Sequence, residues 1–425
     1  MPVFDTDLHI HSLHSIGVSK AMTIPKLAEG AEEKGLNILG TGDATQPNWL
    51  KHLRVNLTIN GDVLSYGSVS FIPTVEVEDD ESIHHLIILP DFESVDNLRK
   101  VLKPHSPNIN DEWGGRPRAK INGEVLAGLV RDSGGMIGPA HAFTPFRSIF
   151  RENRHATLKS CYGSEAQHVR FLELGLSADS DTADFIHDLR DLTYITSSDA
   201  HSPYPNKLGR EFVRFEMREP TFDELKLAIT RKGGRKPVLN VGLDPRLGKY
   251  YLSFCSSCRR TLVIQTGTEA PSFDELNIYI SCRSIADRKC LLDDIHKRRV
   301  KCPADGKNLR LGVRDRAAAI GDGEVKTPSH RPPYLPTAPL LDIIRLSQQV
   351  KSSASKQVRA IYDVFRNRFG PETLILTDTP IQQIREENER VGIMIEAYRN
   401  KSIEYLAGGG GRYGTLIPPW ESDDR

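Results

Sequence analysis

Asp7-Leu8-His9-Ile10-His11 near the amino end and Ser198-Asp199-Ala200-His201 about 190 residues later decide how this chain is read. Each presents chemistry-bearing side chains at i and i+2: His9 with His11, and Asp199 with His201. On an extended strand alternate side chains share a face, so each pair aims both groups to one side of a sheet. Two imidazoles together, or a carboxylate with an imidazole, form a transition-metal donor set. A His-x-His pair standing alone is more often solvated than ligating. The residues between the two signatures strengthen the metal reading.

Val3-Phe4 leads into the first signature, and Leu27, Ala28 and Ala31 at helical spacing predict a helix over about 24–34. Leu36-Asn37-Ile38-Leu39 reads as a buried strand ending in Gly40-Thr41-Gly42-Asp43. Residues 68–77 form a further strand bearing Glu76, and His84-His85 open the apolar run Leu86-Ile87-Ile88-Leu89. Met136-Ile137-Gly138 precedes Pro139-Ala140-His141, while Phe171-Leu172-Glu173-Leu174 and Thr193-Tyr194-Ile195-Thr196 are the last strands before Asp199. Strand, candidate ligand, then helix or loop, repeated, is the pattern of a parallel α/β barrel. In such barrels the chemistry gathers at the carboxyl ends of the strands, where these candidates lie.

The set DLHIH, GTGD, Glu76, GPAH and SDAH resembles the PHP superfamily of multinuclear metal phosphoesterases, which fold as a distorted (β/α)7 barrel. The stretches LNILGTGD (36–43), HHLIILPDF (84–92), AHAFTP (140–145), LELGLSAD (172–179) and SDAHSP (198–203) narrow the resemblance to the endonuclease Q family. Gly209-Arg210-Glu211, His330-Arg331-Pro332-Pro333-Tyr334 and GGGGRYG (408–414) extend it over nearly the whole chain. The resemblance implies a DNA repair endonuclease that nicks 5′ of a deaminated base (uracil, hypoxanthine, xanthine) or an abasic site, leaving a 3′-hydroxyl and a 5′-phosphate. It implies two or three divalent metals (Zn, Mn or Mg), with Glu76 bridging two of them, His9, His11 and Asp199 on one, and His141 on the other. Asp43 and one of His84 or His85, assigned to His85, extend the cluster, and His201 joins the set. The catalytic centre is then Glu76, Asp199 and His141, with Glu173 as support behind a ligand. Paired cations generate hydroxide and hold both attacked and leaving oxygens, and imidazole-rich donors favour Zn²⁺ or Mn²⁺ over an all-oxygen Mg²⁺ site. Gln46 stands where the family carries a histidine, and Leu13 and Ile16 stand where it tends to carry arginines.

Five of the six cysteines fall between 255 and 302. Cys255-Ser-Ser-Cys258 has the spacing of half a zinc knuckle. The family resemblance leads one to expect a closing Cys-Pro-x-Cys-Gly, but Cys302-Pro303-Ala304-Asp305-Gly306 lacks the last thiol. A structural zinc on Cys255, Cys258 and Cys302 therefore takes its fourth ligand from Cys290, which heads the assignment, or from Cys282 or Asp305. A degenerate ribbon without zinc is the alternative.

The 425 residues, with 38% hydrophobic and 26% charged, suit a soluble chain of two or three domains. No apolar run reaches membrane-span length. The start MPVFDTDLHIH has no signal-peptide character, and free thiols beside metal sites predict a cytoplasmic protein. Expected divisions are a metal phosphoesterase domain at 1–240, a cysteine-bearing module at 241–325 and a helical domain at 326–425, entered through the proline-rich linker 327–336. The 56 basic and 56 acidic residues give zero net charge, so DNA binding requires a local basic face. Arg116, Arg118, Lys120, Arg210, Arg331 and Arg412 are the candidate DNA contacts, with Trp49, Trp113 and Tyr413 as stacking partners for an extruded base. The expected partner is single- or double-stranded DNA carrying the lesion; a sliding clamp is a further candidate, though no clear clamp-binding peptide stands at the carboxyl end. Two other readings compete: a small-molecule phosphatase of the histidinol-phosphate type, and a non-catalytic DNA-binding protein with a decayed site.

Overall fold

The structure is a computed structural model that describes residues 1–322 and 324–422. Its first strand, Val3–Asp7, pairs parallel with Ile38–Gly40, which pairs parallel with Val69–Ile72. The crossover between the first two is the helix Ile24–Lys34, started by Pro25 in its first turn and stopped by Gly35 at φ +96°. Its buried face is Ile24, Leu27, Ala28 and Ala31, the residues whose spacing predicts it.

On the other side Val3–Asp7 pairs antiparallel with Phe212–Glu216, which pairs antiparallel with Lys236–Gly242; Thr58–Asn60 and Val63–Tyr66 at one edge and Tyr334–Pro336 at the other bring the sheet to eight strands. A second sheet holds Thr74–Glu78, His84–Ile88 and Met136–Pro139, and a third holds Phe171–Glu173 parallel to Thr193–Ile195. The parallel expectation fails in the second sheet, where both ladders are antiparallel. Only 79–83 connect its first two strands, and a parallel crossover needs a dozen or more residues. Ile10 bridges Ala200, so the two signature segments run side by side just beyond their strands.

The cysteine-bearing segment forms its own five-stranded sheet, with helix Ile285–His296 packed through Leu292 and Ile295 onto Leu262, Ile278 and Leu309. The helices Leu340–Ser347, Lys356–Phe369, Glu372–Thr377, Ile381–Glu387 and Glu389–Arg399 share a core that includes Ile344, Val358, Tyr362, Phe365 and Met394. The proline-rich stretch is non-helical, as its sequence requires, but it is more than a linker. Tyr334–Pro336 pairs with Lys236–Gly242 as the edge strand of the large sheet, a position that tolerates proline's missing donor. Lys34 and Glu372, both fully buried, close a 2.6 Å ion pair between the first helix and the carboxyl-terminal helices. Among the described residues no helix is long and apolar enough to cross a membrane.

Candidate metal centre

Asp7 fastens the two signatures together. Its buried carboxylate accepts hydrogen bonds from the Ser198 backbone N–H (3.0 Å), the Ser198 hydroxyl (2.5 Å) and the Gly209 N–H (3.0 Å). Burial pushes its pKa up to about 6, against the pull of those hydrogen bonds.

Beyond it, His9 and His11 face one cleft. His9 Nδ1 meets Glu173 Oε2 at 2.8 Å, and the same oxygen accepts the His141 backbone N–H at 2.8 Å. His11 Nδ1 lies 3.1 Å from Asp43 Oδ1. Each Nδ1–H directed at a carboxylate leaves the Nε2 lone pair facing the cleft, the tautomer that a metal ligand needs. His11 Nε2 then stands 3.1 Å from Asp199 Oδ1 and 3.4 Å from Glu76 Oε2.

Glu76 sits at the centre. Its Oε1 lies 2.6 Å from His84 Nδ1, 2.9 Å from His141 Nε2 and 3.7 Å from His9 Nε2, while its Oε2 accepts from Arg116 Nε. Two donor triads result, His9–His11–Asp199 and Glu76–His84–His141, each with ligand atoms within 4.8 Å of one another. Asp43, His141 and Asp199 all have positive φ (49°, 29° and 48°), conformations that cost non-glycine residues energy and collect at functional sites.

The donor set fits divalent cations. His9 Nε2 and Asp199 Oδ1 are buried with no hydrogen-bond partner, and both belong to the first triad. Buried lone pairs aimed at carboxylate oxygens repel unless a proton or a cation lies between them. Burial disfavours the charged form of His9, yet the Glu173 and Glu76 carboxylates hold its pKa well above the ordinary imidazole range. Burial likewise opposes charging at Glu76, but His84, Arg116 and His9 keep it well below the carboxylate range. Protons and divalent cations compete for these same lone pairs.

Several expected ligands fall elsewhere. His85 points away from the cleft, its Nε2 3.0 Å from Asp79 and its Nδ1 2.7 Å from Tyr162 Oη. Neighbours on a strand face opposite sides, so His84 takes the inner place instead. Asp43 stands behind His11, and its second oxygen is taken up by the Ser12 N–H and the Ser12 and Ser15 hydroxyls. Gly115 permits this packing, because a Cβ there would collide with the Asp43 carboxylate. His201 is half-exposed at the mouth, its ring 4.8 Å from that of His11 and outside both triads. Gln46 caps the helix Pro47–Asn56, its Oε1 accepting the Trp49 N–H at 2.7 Å.

Of the expected DNA contacts, Arg116 reaches inside the site, to Glu76 and to within 3.2 Å of His11 Nε2. Arg118 and Lys120 are exposed. Arg210 is half-buried and donates to the Ser198 carbonyl; Arg412 is exposed and donates to Thr261 and Leu276. Arg331 is buried, paired with Asp184 at 3.0 Å and lying 3.2 Å over the Tyr194 ring, so its role is to hold the fold. Trp49 is also buried, donating to the carbonyls of Thr41 and Gly42, whereas Trp113 and Tyr413 are exposed. The cleft, about 350 Å³, is lined by His84, Arg116, His141, Phe146, Arg147 and Asp199 among others.

In the small sheet, Cys255, Cys258, Cys302 and Asp305 converge within 4.8 Å. Cys258 Sγ and Cys302 Sγ are 3.8 Å apart, and the Asp305 oxygens lie 3.4 and 3.5 Å from Cys255 Sγ. Cys290 is exposed on the helix Ile285–His296 and takes no part. The fourth donor is the carboxylate two residues beyond Pro303, standing where a thiol was expected.

Comparison with known proteins places this architecture. The lesion-specific endonuclease PfuEndoQ from Pyrococcus furiosus superposes with a TM-score of 0.85 at 41% identity, over 98% of this chain and 96% of that one. The chain belongs to the endonuclease Q family. A second endonuclease Q structure, complexed with a 27-mer duplex carrying an abasic lesion at the active site, gives a TM-score of 0.83 at 40% identity, over 98% and 97% of the two chains. Residues 339–402 match the family described as the MJ0043 C-terminal domain. MJ0043 of Methanocaldococcus jannaschii, an uncharacterised protein, is 33% identical over 281 residues, 65% of this chain but only 31% of that longer one. The endonuclease Q similarity thus runs through the metal cleft, the cysteine sheet and the carboxyl-terminal helices alike.

Proposed function

We propose that this protein is a metal-dependent DNA repair endonuclease that hydrolyses the phosphodiester 5′ of a deaminated base or abasic site. The observation that carries this reading is the pair of donor triads meeting at Glu76, in a chain related over its full length to an endonuclease Q bound to lesion DNA. One cation belongs on His9, His11 and Asp199 and another on Glu76, His84 and His141. When bound, they supply Lewis-acid stabilisation of charge on the phosphate oxygens and water acidic enough to act as nucleophile at neutral pH. The imidazole-rich donors favour Zn²⁺ or Mn²⁺.

The protein's own residues do the positioning. Glu173 and Asp43 fix the tautomers and ring planes of His9 and His11, and Glu173 also holds the backbone of His141. Arg116 and Arg147 on the cleft wall present guanidinium groups to a phosphate. Water oxygen joins phosphorus as the bond to the 3′ oxygen breaks, and a proton passes to that oxygen, giving a 3′-hydroxyl and a 5′-phosphate. In the small sheet, Cys255, Cys258, Cys302 and Asp305 form a structural zinc site.

The test is cleavage of an end-labelled duplex bearing one deoxyuridine, deoxyinosine or abasic site, beside an undamaged control, with Mn²⁺, Mg²⁺ or Zn²⁺. A single nick 5′ of the lesion, abolished by chelator, is expected. No nick with any metal, accompanied by hydrolysis of a simple phosphate monoester, would return the chain to the small-molecule phosphatases.

A further inference from the structure

Ile16 is the most exposed large hydrophobic side chain among the described residues, at 80%. Isolated exposed apolar residues are ordinary on protein surfaces. This one is set apart by the loop that carries it. Residues 12–19 follow directly from His11 and are pinned on every side. Ser12 and Ser15 bond Asp43, the His14 ring and carbonyl engage Glu112 and Gly115, and the Ser19 N–H donates 2.9 Å to the His201 carbonyl. At the apex, Ile16 and Gly17 (φ +80°) turn the chain in open space. An isoleucine is thus held out into water on a fixed support, next to the serine that touches a proposed metal ligand.

Three other loops, each adjoining a residue of the site in the sequence, also carry exposed apolar side chains. Trp113, 50% exposed, belongs to the turn that bonds His14 and delivers Arg116 to Glu76. Phe146, 67% exposed, lines the metal cleft itself. Tyr204, 64% exposed, lies three residues past His201. Exposed apolar groups on loops that adjoin a polar cleft carrying Arg116 and Arg147 suit a partner with a charged backbone and an apolar stacked interior, which describes DNA.

An enzyme that inspects a base must rotate its nucleotide out of the duplex, and the gap left in the stack closes again unless something fills it. Minor-groove proteins fill such gaps with isoleucine, leucine, phenylalanine or methionine. We propose that Ile16 is the wedge that enters the base stack beside the scissile phosphate and keeps the lesion nucleotide extruded. This rests on the lesion-endonuclease reading. Ile16 is a positioning residue, acting through the DNA rather than on the reacting atoms.

The experiment compares wild type, Ile16→Ser and Ile16→Met on one deoxyuridine lesion in duplex and in single-stranded form, where nothing needs extruding. With Ile16→Ser, duplex kcat/KM is expected to fall roughly tenfold to a hundredfold, the scale on which unstacking energies act, while the single-strand rate falls far less. Ile16→Met should restore the duplex rate. A 2-aminopurine beside the lesion should brighten on binding wild type and Ile16→Met, and stay dark with Ile16→Ser. An unchanged duplex-to-single-strand ratio in Ile16→Ser overturns the wedge while leaving the endonuclease reading intact. Failure of the wild type to cut either form removes the endonuclease reading itself, and the wedge with it.

Discussion

Replacing Lys34 by methionine tests how the carboxyl-terminal helices are tied to the helix Ile24–Lys34. The Lys34 side chain is 1% exposed and that of Glu372 is 0%; the ammonium meets Glu372 Oε1 at 2.6 Å and the Pro205 carbonyl at 2.9 Å. Glu372 also accepts from the Leu340 N–H (2.8 Å) and the Tyr362 hydroxyl (3.1 Å), so one carboxylate joins the first helix to three carboxyl-terminal ones. Breaking a buried pair strands a charge and costs about 3–5 kcal/mol. Lys34→Met should fall at the lower end, because Glu372 keeps one hydrogen bond on each oxygen. Glu372→Gln should fall at the upper end, because the ammonium keeps only a carbonyl. Replacing both together removes the stranded charge and should recover most of the loss. A chain with several cores is unsuited to a single unfolding free energy, so local opening is the quantity to follow. Amide hydrogen exchange in the helix Leu340–Ser347 should accelerate by about two to three orders of magnitude in either single variant and by much less in the double. Wild-type exchange in both single variants, or a double variant whose losses simply add, would refute the assignment of an energetic link to this pair.

Three further outcomes follow from the site and its surroundings. His84→Ala should lower the number of metals bound, counted by elemental analysis, whereas His85→Ala should leave that count unchanged and lower thermal stability by unsatisfying Asp79 and Tyr162; equal metal loss in both would contradict the facing of the strand. Loaded with Co²⁺, the cysteine site should show thiolate charge transfer of three-sulfur strength that rises in Asp305→Cys, and an unaltered spectrum would remove Asp305 from the ligand set. His52 Nε2 accepts the Ile24 N–H at 3.2 Å, so the folded protein needs this ring neutral, and burial and His14 depress its pKa. The unfolded chain protonates first as pH falls, so this contribution is whole above about 6.5 and fades as pH drops through the ordinary imidazole range. Protection of the Ile24 amide should therefore weaken between pH 7.5 and 5.5, and His52→Gln should abolish that dependence.

The strand ends that carry the candidate ligands were legible because a two-residue period and an abrupt change from apolar to polar are local signals. Val358, Tyr362 and Phe365, the buried face of the helix Lys356–Phe369, carry the same kind of local signal at the helical period. The choice between His84 and His85 was not local. It depends on Glu78 pairing with His84 across the 79–83 turn, which puts His84 on the same face as Glu76. Recognising that turn as a hairpin would have found His84, since cross-strand partners and alternate residues share a face. Tyr334–Pro336 was hidden more deeply, because its partner strand lies almost a hundred residues earlier and three nearby prolines disguise an edge strand as a linker. Asp305 was visible as a candidate but could not be ranked above Cys290 until the fold set one inside the cluster and the other on an exposed helix face.

The same distinction explains why the signatures contain residues that bind nothing. Asp7 is too buried to meet a substrate and has its oxygens filled by Ser198 and Gly209, yet it is the contact that brings the second signature to the first. Asp43 spends its oxygens on His11, Ser12 and Ser15, and Glu173 gives Oε2 to His9 and the His141 backbone. Each imidazole of the first triad is therefore held from behind by a carboxylate. Metal affinity in such a centre depends on ring orientation as much as on ligand identity. Isosteric Glu173→Gln is the sharpest probe of that dependence. It can keep the His141 backbone contact but forfeits the negative charge behind His9. Weaker metal binding with an unchanged ligand count would mark Glu173 as orienting, whereas loss of one metal outright would make it a ligand.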